Sequence, residues 1–426
     1  MLSIVFGVIL LIILVYKRVS VIIAAPLALA LVSILNNYSP LHVLTGEYVE
    51  GVTFFIEDFL LIFILGAILG KVMTDSGAAQ TIAYFIINNL GAKRGNSAVL
   101  ITSALLTYGG IPGFVIVFTI YPISLPVFKE GNLPRYFLPA CFAGGVGTFA
   151  LPMPGSPQVH NIIPIETLGT TPMAGLIPGV IGTGTSFILA LIYLEFRAKR
   201  AKSNGDGYLT AEAETNHYDQ DNNRNEEVEN NPGIIRSLTP LLVVVGSLTL
   251  GGVTVITALT LGVIMGIVLF FHHLESILTT LNQGTRDSLT PLLFASSAVG
   301  FGLTLRAFPA FDSFLQEVIA LSINPIITSS IITNLGAAMM GSASGGIMLT
   351  MSLIGEGLIT YSDPANLHRI ITMASAVFDT VPFNNGYLAI LAFTGLSLKD
   401  TYLDYFVVTV LAPLIGLLVA IGIITF

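Results

Sequence analysis

Residues 98–128, AVLITSALLTYGGIPGFVIVFTIYPISLPVF, form one apolar run whose middle, Gly109-Gly110-Ile111-Pro112-Gly113, cannot stay helical. Glycine weakens a helix interior, and proline removes an N–H and clashes with the preceding turn. Each arm is shorter than the ~20 residues that a bilayer crossing needs. The stretch therefore reads as two half-length helices joined at a tip, a re-entrant hairpin. Residues 326–358, IITSSIITNLGAAMMGSASGGIMLTMSLIGEGL, repeat the design, with the break at Gly341-Ser342-Ala343-Ser344-Gly345-Gly346.

The rest of the chain supplies the setting. It has 426 residues, 54% of them hydrophobic and 10% charged, with a mean hydropathy of +0.85. An ordinary soluble domain carries roughly 25% charged residues. The composition excludes a soluble enzyme, a disordered protein and a nucleic-acid binder. The apolar stretches are continuous rather than alternating, which excludes a transmembrane barrel. An all-α polytopic membrane protein remains. Cys141, the single cysteine, rules out an internal disulfide and a thiolate metal cluster, and no cofactor is expected.

In order, spans are expected at Leu2–Tyr16, retained as a first span, and Val19–Leu35. An acidic loop with Glu47, Glu50, Glu57 and Asp58 leads to a span at Phe59–Met73. The hairpin near 98–128 is followed by a helical pattern from Asn132 to Leu151. Pro152-Met153-Pro154-Gly155-Ser156-Pro157 then breaks it, because no helix continues through three prolines in six residues. A span follows at Pro172–Phe196. Residues 197–232 carry five basic and eight acidic side chains and read as a polar linker. The second half has spans near Leu238–Gly252, Val255–Phe271 and Leu289–Leu305, the last interrupted at Gly300-Phe301-Gly302. After the hairpin near 326–358 comes a helix at Ala365–Phe378, broken near 379–386, and a final span at Phe406–Phe426.

The two halves, 1–196 and 233–426, share an order of features. Asn132-Leu133-Pro134-Arg135 matches Asn366-Leu367-His368-Arg369. Each tetrapeptide follows a hairpin and precedes a broken helix, and Asp75 and Asp312 stand at similar distances upstream. With Lys17 and Arg18 in the cytoplasm, threading onward puts Lys93, Arg94, Lys129, Arg135, Arg197, Arg236, Arg286 and Lys399 on the same side, and only Arg306 and Arg369 outside. The linker is then cytoplasmic, the hairpins enter from opposite faces, and the chain reads as two inverted-topology repeats.

Irregular backbone survives at membrane depth only where protein or a water-filled cavity surrounds it. Four such breaks in an inverted repeat point to a secondary transporter whose half-helix N-termini meet an anion near the midplane. Candidate substrate ligands are Gly110 and Gly113 at the first tip, Gly155, Ser156, Gln158 and Asn161 at the first broken helix, Ser342, Ser344 and Gly345 at the second tip, and Thr380, Asn384 and Asn385 at the second broken helix. Their hydroxyls and amides suit a small hydroxylated acid. The alternative for Ser342 and Ser344 is close helix packing. Asp379 is an intramembrane carboxylate, functional by default, and with His160 forms the candidate proton-coupling pair; each could instead cap a helix break. Asp75 and Asp312 are expected as helix caps, Arg369 as a solvated end charge, and His272-His273 as inert interface residues.

These residues carry a resemblance. Gly70–Ala79 (GKVMTDSGAA), Pro152–Pro164 (PMPGSPQVHNIIP) with Leu168-Gly169-Thr170, Gly341–Gly346, and Leu367–Gly386 (LHRIITMASAVFDTVPFNNG) resemble the gluconate permease family of the ion transporter superfamily. The chain keeps His368, Arg369, Ser375, Asp379, Pro382 and Gly386 of the family pattern, and has Val381 and Phe383 where Leu and His are usual. The resemblance implies proton-coupled uptake of a small hydroxylated monocarboxylate, gluconate or a shorter hydroxy acid. It also implies a homodimer in the plasma (inner) membrane and an elevator-type arrangement of scaffold and moving transport domain. Sodium-coupled carboxylate or dicarboxylate transport, found in other branches, is the alternative. An enzyme is not expected: the chain has neither a His-Glu-x-x-His motif nor a Gly-x-Ser-x-Gly elbow.

Overall fold

The computed structural model describes residues 2–17, 19–208, 231–305, 307–309, 311, 324–340, 342–358, 362–380 and 385–425. Helices dominate, and no strand occurs among the described residues. In chain order the helices used below are α1 (Leu2–Tyr16), α2 (Val21–Leu35), α3 (Pro40–Asp75), α4 (Ala78–Leu90), α5 (Gly95–Tyr108), α6 (Gly113–Glu130), α7 (Leu138–Gly145), α8 (Val159–Leu168) and α9 (Leu176–Ser203). Then follow α10 (Ile234–Thr249), α11 (Val255–Phe270), α12 (Ile277–Leu305), α13 (Pro325–Met340), α14 (Ala343–Leu358), α15 (Pro364–Ser375), α16 (Asn385–Thr394) and α17 (Leu398–Thr425).

Four helices, α3, α9, α12 and α17, are long and apolar enough to cross a membrane. They pair two by two. Gly51 of α3 faces Gly300 of α12 so closely that a Cβ on Gly51 would lie 2.9 Å from Gly300 Cα, and Gly284 meets Ile68 in the same way. Glycine lets the two backbones approach in antiparallel contact. Thr280 closes one end with a 2.7 Å hydrogen bond to Asp75. In the second pair, a Cβ on Gly182 of α9 would lie 2.7 Å from the Gly416 carbonyl of α17. Further along, Tyr193 and Arg197 of α9 bond Asp404 of α17 at 2.7 Å and at 2.6 and 3.0 Å. That pair also runs antiparallel. Ile188, Ile192 and Phe196 leave an exposed apolar face on α9, as a helix against lipid requires.

Three expectations from sequence are corrected here. Glu47, Glu50, Glu57 and Asp58 do not form a loop; they lie within α3, which runs unbroken through a π-type stretch at Leu44–Tyr48. Its 36 residues exceed the length of the hydrocarbon core, so an acidic end need not interrupt it. Helix α12 is not interrupted at 300–302, because Gly300 serves contact with α3 and needs no bend. Helix α9 continues to Ser203, so the polar segment starts as helix, and its middle lies outside the described residues.

Both hairpins form. In the first, Gly110 has φ +109, a conformation that favours glycine, and Ile111 N–H bonds Leu106 O at 3.2 Å to close the end of α5. In the second, a Cβ on Gly346 would lie 2.5 Å from Ala337 N, and Thr333 and Thr350 hydroxyls bond at 2.9 Å. The broken helices lie at 151–158, ahead of α8, and between α15 and α16. Cys141 is buried in the main hydrophobic core.

Candidate functional site

A cavity of about 920 Å³ opens where all four breaks meet. The first tip contributes Gly110, Pro112 and Gly113; the first broken helix contributes Pro157, Gln158 and His160. The second tip contributes Ser342, Ala343 and Ser344; the second broken helix contributes Asp379, Thr380 and Gly386. The rest of the polar wall comes from α3 and α12, with Lys71, Thr74, Arg286, Asp287 and Thr290.

The helices that leave these breaks all begin at the cavity: α6 at Gly113, α8 at Val159, α14 at Ala343 and α16 at Asn385. Pro112 and Gln158 give no side-chain cap to α6 and α8. In α14, Ser342 Oγ accepts from Gly345 N–H at 3.3 Å and bonds Ser344 Oγ at 3.1 Å. First-turn N–H groups and the positive ends of helix dipoles make such a convergence attractive to an anion.

The side chains divide into those that face the cavity and those that build its wall. Gln158 donates both amide hydrogens to the first tip, to Thr107 O at 2.7 Å and Ile111 O at 3.4 Å. Its Oε1, an acceptor, is what remains, and that suits a hydroxyl rather than a carboxylate. His160 lines the cavity, and its Nδ1 is buried with no hydrogen-bond partner among the described residues. Thr380 accepts from Thr409 at 2.9 Å. Asp379 lines the cavity and is half-buried.

Gly155, Ser156, Asn161 and Gly345 do not line the cavity. Gly155 has φ +80. Ser156 is fully buried, and its Oγ accepts from Gln158 N–H at 3.3 Å. Asn161 donates to Ser156 O at 2.9 Å and to Pro172 O at 3.0 Å. These side chains hold the turn from behind. Asn384 lies outside the described residues, as does the side chain of Asn385, and so do Asp312, Arg306, Val381, Pro382 and Phe383.

Arg369 overturns its expectation outright. It is fully buried rather than solvated, and it donates to the carbonyls of Pro152, Pro172 and Ala174. The prolines of 152–157 leave carbonyls without helical donors, and a guanidinium supplies several N–H groups in one plane. His368, also fully buried, bonds Asn161 and Thr170. Asp75 is corrected as well: it is the last residue of α3, paired with Lys71 at 2.8 Å, while the next helix starts behind Gly77 with no side-chain cap.

Lys71, Thr74, Arg286 and Thr290 were not among the expected site residues. The signal for Lys71 is a lysine inside an otherwise apolar run, the kind of residue that marks an intramembrane pathway. No group of three or more His, Cys, Asp or Glu that could hold a metal ion occurs among the described residues.

Membrane-crossing helices, paired half-length hairpins and a cavity at their tips define a polytopic membrane transporter. Comparison with known proteins agrees. The profile of the GntP family permeases matches residues 1–250, and the chain belongs to the GntP permease family. It is 29% identical to the uncharacterized transporter YxjC of Bacillus subtilis (strain 168) over 441 residues, 93% of each chain. It is 28% identical to the high-affinity gluconate transporter of Escherichia coli (strain K12) over 39% of each chain. With the Gnt-II system L-idonate transporter of the same organism it shares 31% identity over 30% of each chain. The chain is a permease and not an enzyme.

Proposed function

We propose that this permease is a secondary active transporter that carries a small hydroxylated monocarboxylate of the sugar-acid type into the cell together with a proton. The observation that carries this reading is the meeting of four helix N-termini at one cavity. Unsatisfied N–H groups at membrane depth need an anion or water. The names of the gluconate and idonate transporters among its relatives supply the substrate class.

In this reading the helix ends, including the backbone of Gly110 and Gly113, attract the carboxylate, while Gly345 acts from behind by fixing the Ser342 hydroxyl. Ser342, Ser344, Thr380 and the Oε1 of Gln158 read the hydroxyls, with Asn384 and Asn385 as further ligands. Ser156 and Asn161 act by shaping the turn. Asp379 and His160 carry the coupling proton. Antiparallel packing of α3 on α12 and of α9 on α17 supports inverted repeats, since each pair occupies corresponding places in the two halves. The hairpins and broken helices form the body that moves, elevator-fashion, against α3 and α12 in a plasma-membrane homodimer whose polar linker is cytoplasmic.

The test is uptake into proteoliposomes under an inward proton gradient, without Na⁺, of labelled gluconate, glycerate, lactate, 3-hydroxybutyrate and succinate. Concentrative uptake of a hydroxy acid that a protonophore collapses is the expected result. Uptake that appears only with Na⁺, or only of succinate, would overturn the proton-coupled monocarboxylate reading.

A further inference from the structure

One carbonyl gathers the first broken helix. Pro172 O accepts from Gly155 N at 2.9 Å, from Asn161 Nδ2 at 3.0 Å and from Arg369 Nη2 at 3.2 Å. Arg369 adds Nη1 to Pro152 O at 2.7 Å, and Nε and Nη2 to Ala174 O at 2.9 and 2.8 Å. The backbone is shaped to admit it. A Cβ on Gly179 would lie 2.9 Å from Arg369 Nε, and one on Gly175, at φ +58, 2.4 Å from Arg369 Cβ. Next door, both amide hydrogens of Asn161 are used on carbonyls, so its Oδ1 must accept from His368 Nε2, at 3.1 Å. In the neutral ring His368 Nδ1 then accepts from the Thr170 hydroxyl at 2.7 Å.

These partners are backbone carbonyls and neutral side chains. Burying a charge costs several kcal/mol, and an apolar side chain of similar size is commonly as stable. Arg369 is therefore poorly explained as a source of stability and well explained as a constraint on position. His368 and Arg369 stand on α15, the helix that runs directly into the break carrying Asp379.

We propose that His368 and Arg369 are positioning residues that lock the break ahead of α8 to α15, so that Gln158 and His160 from one half and Asp379 from the other face the cavity as a single rigid site. The inference rests on the anion-transport reading above. Neither residue lines the cavity; both act through the turn they hold.

The experiment uses the full chain in proteoliposomes with gluconate as probe, comparing Arg369→Met, Arg369→Lys and His368→Gln. Each is also made with Val159→Cys for thiol labelling, Cys141 being fully buried. Misplacing a binding group by about 1 Å can cost up to ~100-fold, so Arg369→Met is expected to raise KM at least ~10-fold with Vmax changed far less. Arg369→Lys recovers part of the affinity, since an ammonium reaches fewer of the carbonyls. Labelling at 159 rises in Arg369→Met and His368→Gln. Unchanged KM and unchanged labelling in both variants would overturn the proposal, as would lower yield with normal KM in the protein that folds. Should Arg369→Met not insert, His368→Gln decides by the same two readouts. A wild-type chain that takes up none of the labelled hydroxy acids defeats the transport reading alone, because labelling at 159 still decides the brace; if it takes up another of them, that acid replaces gluconate as probe.

Discussion

Asn161 Oδ1 and His368 Nε2 bond at 3.1 Å across 207 residues of sequence, joining the first broken helix to the helix that leads into the second. Asn161 thus makes three hydrogen bonds from a fully buried position. Asn161→Ala strands the Ser156 carbonyl and the His368 N–H. Each stranded buried group costs ~1–3 kcal/mol, so a total loss of about 2–6 kcal/mol is expected. A lower Tm in detergent checks this. A Tm equal to wild type would show that water replaces the amide freely and that the turn is not rigid.

Asp379 sits at the cavity surface rather than deep in a helix contact, as a residue that exchanges a proton with a transported solute must. Asp379→Asn keeps the shape and removes the charge. It is expected to abolish uphill uptake while leaving gluconate counterflow, which needs no net proton movement, within about threefold of wild type. That pairing separates coupling from binding, because loss of coupling leaves exchange intact. Full proton-driven accumulation by the variant would remove Asp379 from the coupling role.

Lys71, which lines the cavity, is paired with Asp75, and both side chains are about one quarter exposed. Lys71→Gln leaves Asp75 as an unmatched negative charge beside the path of an anion. A partly exposed pair is worth no more than ~1 kcal/mol, so the expected rise in gluconate KM is about three- to fivefold, greater at low salt. The double variant Lys71→Gln/Asp75→Asn restores most of the affinity. If the double variant is as poor as the single one, Lys71 contacts the substrate directly and the charge-balance account fails.

What could be read from sequence was whatever breaks a helix locally. Proline and glycine clusters at 109–113, 152–157 and 341–346 announce a break by their own stereochemistry, and hairpins and broken helices stand there. What could not be read was partnership between distant residues. Arg369 looks like an end charge until the carbonyls of Pro152, Pro172 and Ala174 are placed around it. Asn161 and Ser156 have the chemistry of ligands, and only their place behind the wall shows that the turn consumes their hydrogen bonds. Gly300 looks like a break for a related reason: a glycine that admits a neighbour and one that bends a helix are the same letter.

That ambiguity is testable at the α3–α12 crossing. A Cβ on Gly51 would meet Gly300 Cα at 2.9 Å, and one on Gly300 would meet Val52 Cγ2 at 2.7 Å and Tyr48 O at 3.0 Å. Backbone cannot step aside as a side-chain tip can, so Gly51→Ala must push the helices apart. Overpacking of this kind costs ~1–3 kcal/mol, against which alanine's better helix propensity returns less than about 1 kcal/mol. Gly184 on α9 has nothing within 4 Å of the same construction, so Gly184→Ala is expected to be neutral or slightly stabilising. The measurement is Tm of the two single variants and of Gly300→Ala in one detergent. Gly51→Ala and Gly300→Ala fall below wild type while Gly184→Ala does not. If Gly300→Ala instead gains stability, the glycine serves flexibility at that level of α12, and the close contact with α3 is not what selects it.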